Sequence, residues 1–192
     1  EESFQKPTVN HPKPMLSIEK SFSVEELKKW FNRIEKKYGE QRYRISPKLD
    51  GLAARYSDGV LCTRGDGYVG YDITDAFSKG LKVHGNIQDG DIGEIVMDKY
   101  YFERNLLDKF VHPRNVVVGA IKCDELSEIQ ETSFNDGVIK FVPYRNLNGY
   151  TDTSEGILNN LESIIQDFSH NAFPIDGYVI EVENNNIKEE LG

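Results

Sequence analysis

The sequence predicts an α+β fold built on antiparallel sheets. Two observations carry that expectation. Hairpins dominate, and helices and strands do not alternate at the spacing of βαβ units. One hairpin can be read directly, because residues 52–56 and 60–63 are short apolar runs around Ser57-Asp58-Gly59, with an Asp-Gly pair at the bend.

The elements follow in order. Pro7, Pro12 and Pro14 make residues 1–22 an extended lead-in. The opening Glu1-Glu2-Ser3 has no initiator Met and reads as an interior point of a longer chain. Residues 23–38 form the clearest helix. Ser23 and Glu26 match a capping box, Leu27, Trp30, Phe31, Ile34 and Tyr38 make one apolar stripe, and Gly39 stops it. The spacing of Tyr101, Phe102, Leu106 and Phe110 predicts a second helix over 98–110. Ile157, Leu161, Ile164, Ile165 and Phe168 predict a third over 154–168. Apolar runs at 92–97, 116–121, 137–142 and 177–182 read as strands, and Asn184-Asn185-Asn186 reads as a turn. The whole chain, 1–192, is expected to be one domain with its lead-in.

Composition narrows the function. With 38% hydrophobic and 11% aromatic residues, the chain can bury a substantial core. No apolar run approaches the roughly 18 residues of a membrane span, and no charged-then-apolar leader opens it. Cys62 and Cys123 are far apart and lack a C-x-x-C partner, as expected of reduced cysteines in the cytoplasm. His11, His84, His112 and His170 show no metal-ligand spacing and read as isolated polar residues. A net charge of −9 argues against an autonomous nucleic-acid clamp. The charge is uneven, however: residues 1–64 carry +4 and residues 65–192 carry −13. The basic section therefore suits an anionic ligand.

Two strings inside that section carry the chemistry. Ser46-Pro47-Lys48-Leu49-Asp50-Gly51 is followed by Thr63-Arg64-Gly65-Asp66-Gly67, and the hairpin at 52–63 joins them. Folding the hairpin returns Arg64 and the Gly65/Gly67/Gly70 loop toward Lys48. A cation and exposed backbone N–H groups would then face an amine, an arrangement that suits attack on a nucleotide phosphate. Such a lysine must be neutral to attack, and burial, a neighbouring cation or a metal can lower its pKa. Asp50, Glu94 and Asp176 are the carboxylates suited to a metal or to ribose hydroxyls.

Six strings in order give the chain a resemblance to the adenylation (nucleotidyltransferase) domain of NAD⁺-dependent DNA ligases. They lie between about His11 and Gly192. His11-Pro12-Lys13-Pro14-Met15-Leu16-Ser17 resembles the segment before the family's first helix here, and Lys48-Leu49-Asp50-Gly51 its nucleophile motif. Thr63 to Thr74 resembles "TRGDGxxGEDxT", and Gly93-Glu94-Ile95 resembles "RGEV". His112-Pro113-Arg114-Asn115 with Gly119 resembles "NPRNAAAGS", and residues 175–180 resemble "IDGVVIK". Tyr144 falls where the family places an aromatic residue near the nucleotide.

The resemblance implies a nucleotidyltransferase fold, with twisted antiparallel sheets flanked by helices. It implies that Lys48 forms lysyl-AMP from NAD⁺ with Mg²⁺, and that AMP then passes to the 5′-phosphate of nicked DNA. Asp50 would contact ribose or metal, and Arg64 and Arg114 a phosphate. Glu94 would serve the ribose or the metal, and Asp176 the metal or leaving group. Ser46, Leu49, Lys122, Tyr144 and Glu181 stand at the remaining nucleotide-contacting positions. Among its departures from the family pattern, Ser46 replaces Glu, Ile92 replaces Arg, Lys122 replaces Arg and Glu181 replaces Lys. These departures point to a divergent, phage- or virus-like member in a bacterial or infected-cell cytoplasm. Sealing would require partners: a nicotinamide-binding part and an OB-fold, as further domains or a second subunit. Two other readings are a non-catalytic nucleotide- or nick-binding subunit and an ATP-using polynucleotide ligase.

Overall fold

The computed structural model describes residues 4–15 and 23–191. Residues 1–3, the Leu16-Ser17 end of the first motif and the rest of the lead-in to residue 22 lie outside the described residues. In chain order the strands are β1 (Thr8–Asn10), β2 (Arg42–Leu49), β3 (Leu52–Ser57), β4 (Val60–Thr63), β5 (Val69–Tyr71), β6 (Lys82–Val83), β7 (Ile92–Met97), β8 (Ile139–Pro143), β9 (Tyr150–Thr153) and β10 (Ile175–Val182). The helices are α1 (Val24–Tyr38), α2 (Ala76–Lys79), α3 (Lys99–Asn105), α4 (Pro113–Lys122), α5 (Glu128–Asn135), α6 (Ser154–Phe168) and α7 (Asn185–Leu191).

The chain divides into two compact units. The first holds residues 1–17, 49–147 and 172–174; the second holds 18–48, 148–171 and 175–192. In the first unit, a five-stranded sheet runs in the order β4-β3-β7-β8-β6. Its pairings are antiparallel except β6–β8, where Lys82 faces Lys140 and Val83 faces Phe141 in parallel. The sheet is therefore mixed rather than wholly antiparallel. Leu61, Ile95, Met97, Ile139 and Phe141 meet Val116, Val117, Ala120 and Ile121 of α4 in one buried cluster.

The hairpin turn has Asp58 at φ 52° and Gly59 at φ 77°. Two consecutive positive φ values define the type I′ bend that matches strand twist, and Asp-Gly adopts it readily. The lead-in is not free. Strand β1 pairs with β5, the Phe4 ring stacks on Tyr71, and Met15 N–H donates to Gly67 C=O.

In the second unit, a three-stranded sheet of order β10-β2-β9 is covered by α1 and α6. Tyr43 and Ile45 of β2 join Leu27, Phe31, Ile34, Ile157, Leu161 and Ile180 in its core. Ser23 accepts the Glu26 N–H at the start of α1, and Gly39 closes its end at φ 80°.

Three sequence expectations are corrected. Residues 116–121 are helix α4, not a strand. A buried helix and a buried strand both read as continuous apolar runs, and β-branched residues bias that reading. The deciding signals lie upstream, in the His112 cap and Pro113 at the first turn. The asparagine run opens α7 instead of ending in a turn, because Asn184 Oδ1 accepts the N–H groups of Asn186 and Ile187. The helix expected over 98–110 stops at Asn105. Helix α5, unanticipated, carries the reciprocal capping box of Ser127 and Gln130.

Candidate active site

The turn from β2 into β3 ends the first string, and its Asp50 and Gly51 are fixed from three sides within the first unit. Asp50 N–H donates to Pro174 C=O at 3.0 Å. Gly51 N–H donates to Glu94 Oε2 at 3.3 Å. Gly51 also lies against β7, so closely that an added Cβ would sit 2.1 Å from the Ile95 carbonyl oxygen. Only glycine fits there.

Glu94 is buried on β7. Tyr144, in the single 3₁₀ turn after β8, donates its hydroxyl to Glu94 Oε1 at 2.5 Å. Burial, then the Glu94 charge and this hydrogen bond, push the Tyr144 phenol far above its ordinary pKa, while the positive charge of Arg64 acts the other way. Tyr144 is therefore a committed donor, and Arg64 lies within electrostatic reach of the pair. Next to Tyr144, Arg145 grips both oxygens of Asp91 at 2.7 and 2.8 Å, which anchors the turn.

Arg64 begins the glycine loop after β4. Its backbone N–H donates to Ala53 C=O at 2.9 Å. His11 Nε2 lies 3.0 Å from the Thr63 carbonyl and 3.1 Å from that of Arg64, and the His11 backbone N–H donates to Tyr68 C=O. Asp66 Oδ1 accepts the N–H groups of Tyr68 and Val69, closing the loop. Gly65 at φ 58° packs against Val69 so tightly that a side chain is excluded.

Asp50 points to the start of α4. Its Oδ1 meets Arg114 Nη1 at 2.5 Å and its Oδ2 meets His112 Nε2 at 3.0 Å. His112 Nδ1 accepts the Arg114 N–H and so caps the helix. Neither His11 nor His112 is an isolated polar residue, as the sequence had suggested. Both make contacts from positions distant in sequence, which no spacing rule could reveal.

In the second unit, Lys48 lies on β2. Tyr43 and Ile45 face the core, so alternation sets Arg44, Ser46 and Lys48 on the other face. Tyr178, Ile180 and Val182 of β10 face the same core, so Glu181 shares the face of Lys48. The Lys48 side chain is half-buried and makes no hydrogen bond or ion pair among the described residues. Ser46 is buried. Glu181 is ion-paired with Lys188 Nζ of α7 at 2.6 Å. Asp176 is exposed near the start of β10, followed by Gly177 at φ 150°.

Lys122 ends α4, eight residues beyond Arg114, and its ammonium lies 5.9 Å from the Phe4 ring centroid. The structure thus joins Asp50 with Arg114, and Glu94 with Tyr144 near Arg64, but does not bring Lys122 to them. No three His, Cys, Asp or Glu residues gather as a metal site among the described residues. Both oxygens of Glu94 and Oδ1 of Asp50 accept hydrogen bonds from protein donors, and Asp50 Oδ2 lies against His112. No described helix is long and apolar enough to cross a membrane.

A family model described as the NAD-dependent DNA ligase adenylation domain matches residues 2–135. The chain belongs to this family. A DNA ligase of Desulfatibacillum aliphaticivorans is 40% identical over 190 residues, which is 96% of this chain and 30% of that protein. One from Psychromonas ingrahamii is 41% identical over 195 residues, again 96% and 30%. One from Ruthia magnifica is 32% identical over 200 residues, covering all of this chain and 33% of that protein. This DNA ligase adenylation domain therefore spans about a third of the curated relatives it matches. All the contacts described around Gly51, Glu94, Arg64 and Arg114 fall inside the matched span except those to Tyr144, Arg145 and Pro174.

Proposed function

We propose that this domain adenylates itself on Lys48 as the first step of NAD⁺-dependent nick sealing in DNA, on a nucleotidyltransferase fold. The clamped turn supports the reading best. Gly51 is tied to Glu94 and Asp50 to Arg114 and His112, so the residues just after Lys48 are fixed, while Lys48 itself lacks a competing partner. A nucleophile held this way loses little freedom on reaching a bound phosphate.

Lys48 Nζ attacks the α-phosphorus of the nucleotide. The N–P bond forms, the P–O bond to the leaving phosphate breaks, and nicotinamide mononucleotide departs while the amine gives up a proton. Arg64 offers its guanidinium to the phosphate oxygens. Glu94, held by Tyr144 and Gly51, serves the ribose hydroxyls, with Ser46 and Leu49 beside the base. Mg²⁺ supplies charge neutralisation on the nucleotide's own phosphates, with exposed Asp176 the carboxylate open to it. The AMP then passes to the 5′-phosphate of a nick, and the 3′-hydroxyl displaces it. The rest of a ligase, with nicotinamide-binding and OB-fold parts, completes the cycle in the cytoplasm.

The test is labelling. The protein is incubated with Mg²⁺ and either NAD⁺ or ATP carrying radiolabel in its AMP moiety, with and without the remaining ligase parts. Acid-labile label on Lys48 from NAD⁺, lost in Lys48→Ala, supports the reading. Label from ATP alone would move the chain to the other ligase class. Absence of label under every condition would leave a nucleotide-binding subunit.

A further inference from the structure

His112 uses both ring nitrogens. Nδ1 accepts the Arg114 N–H at 2.9 Å, as the cap of α4. A nitrogen that accepts carries no proton, so the neutral ring holds its proton on Nε2. Nε2, carrying that proton, lies 3.0 Å from Asp50 Oδ2, within ion-pair distance.

This choice of tautomer has a consequence for Arg114. Arginine and carboxylate often pair through two parallel hydrogen bonds. Here Oδ2 is taken by His112, and Arg114 reaches only Oδ1, through Nη1. Its side chain is 46% exposed, and its other guanidinium N–H groups have no partner among the described residues. A guanidinium tethered at one corner and open along another edge is set to grip a phosphate in paired fashion.

We propose that His112 is a positioning residue: by holding Asp50 Oδ2 it keeps the Arg114–Asp50 contact single and leaves the open edge of Arg114 to a phosphate group. The ligase reading enters only in naming which phosphate this is. It is either the phosphate of the nucleotide or the 5′-phosphate of a DNA nick.

His112→Ser separates this role from capping, because serine is a strong N-cap but its one-atom side chain is too short to reach Asp50. The intact protein and this variant are titrated with two ligand pairs. One pair is AMP and adenosine. The other is a nicked duplex with a 5′-phosphate and the same duplex with a 5′-hydroxyl. The wild type should prefer the phosphorylated member of at least one pair. The variant should lose that preference fivefold or more, while adenosine and the 5′-hydroxyl nick bind as before and the Tm holds. The affected pair identifies the phosphate. Unchanged preferences, a wild type with no preference, or uniform weakening of all four ligands would each overturn the assignment. Nitrogen chemical shifts of the wild-type ring at pH 8 give a check that needs no variant, since a proton on Nδ1 would contradict the geometry. Labelling of Lys48 by NAD⁺ is scored separately. If it fails while the phosphate preference still depends on His112, the ligase reading falls and the positioning role stands.

Discussion

Tyr144 donates to Glu94 Oε1 while Gly51 donates to Glu94 Oε2, so one buried carboxylate ties the turn after Lys48 to the end of β8. Tyr144→Phe removes one of those donors without changing the packing volume much. A buried charged acceptor that loses a donor costs about 1–3 kcal/mol. The variant should lose that much stability in denaturant melts. Lys48 labelling should fall further than the stability change explains, because the Gly51 anchor loosens. Labelling and stability both at wild-type level would show that the hydrogen bond positions nothing.

Arg64 is tested in the opposite sense, with activity moving and stability not. Its backbone N–H and carbonyl bonds to Ala53 and His11 remain in Arg64→Ala, so the loop should keep its shape. Removing a cation aimed at developing phosphate charge costs on the order of 10²–10³ in rate at comparable sites. Lys48 labelling should drop within that range while the Tm shifts by no more than a few degrees. A variant that labels normally, or one that unfolds, would remove Arg64 from the phosphate site.

Cys62 gives a pH prediction. Its thiol is buried on β4, and burial first, with the Asp72 charge second, pushes its pKa from 9.0 up to about 11. The folded state therefore holds the proton more tightly than the unfolded chain. The stabilisation is fully present below pH 9 and is lost as pH rises through 11. Two pKa units correspond to about 3 kcal/mol at most. Denaturant melts at pH 8, 9.5 and 11 should show stability falling more steeply in the wild type than in Cys62→Ser, which lacks the titration. Parallel curves would mean the thiol reaches solvent.

The sequence was most legible where local rules were also the global answer. The hairpin at Asp58-Gly59, the stripe of α1 and the helix at 154–168 each follow from spacing or turn chemistry alone, and the structure keeps all three. Helix α4 was misread because Val116, Val117 and Val118 favour strands, and its true signal was an unusual cap. The site was legible as motifs but not as contacts. Glu94, Tyr144 and Gly51 are far apart in sequence, and nothing in their order states that one carboxylate accepts from the other two. His11 and His112 were passed over for the same reason, since their partners are backbone carbonyls and a carboxylate supplied by segments distant in sequence. The parallel β6–β8 pairing escaped because a two-residue strand carries no periodic signal.

Glu181 stands where the family pattern has lysine, and the structure changes what reversing it should do. The carboxylate is not bare. Lys188 Nζ holds it at 2.6 Å, on the sheet face that also carries Lys48. Both side chains are more than a third exposed, at 37% for Glu181 and 47% for Lys188. A pair that open contributes roughly 0–1 kcal/mol, so breaking it should barely affect the Tm. Glu181→Lys nevertheless changes the local charge by two and sets Lys188 free. Two unit charges about 4 Å apart interact by roughly 4 kcal/mol at an effective dielectric near 20, before salt screening. Even with most of that lost to solvent, AMP and NAD⁺ should bind several-fold tighter at low salt, with a smaller gain at moderate salt. The swap Glu181→Lys with Lys188→Glu restores an ion pair with its polarity reversed. It should keep part of the gain if residue 181 itself faces the nucleotide, and lose all of it if the freed Lys188 was the cause. Calorimetric titrations of the three proteins at two salt concentrations decide between these. Equal affinities throughout would place residue 181 away from the nucleotide, and its exchange for glutamate would then carry no weight for activity.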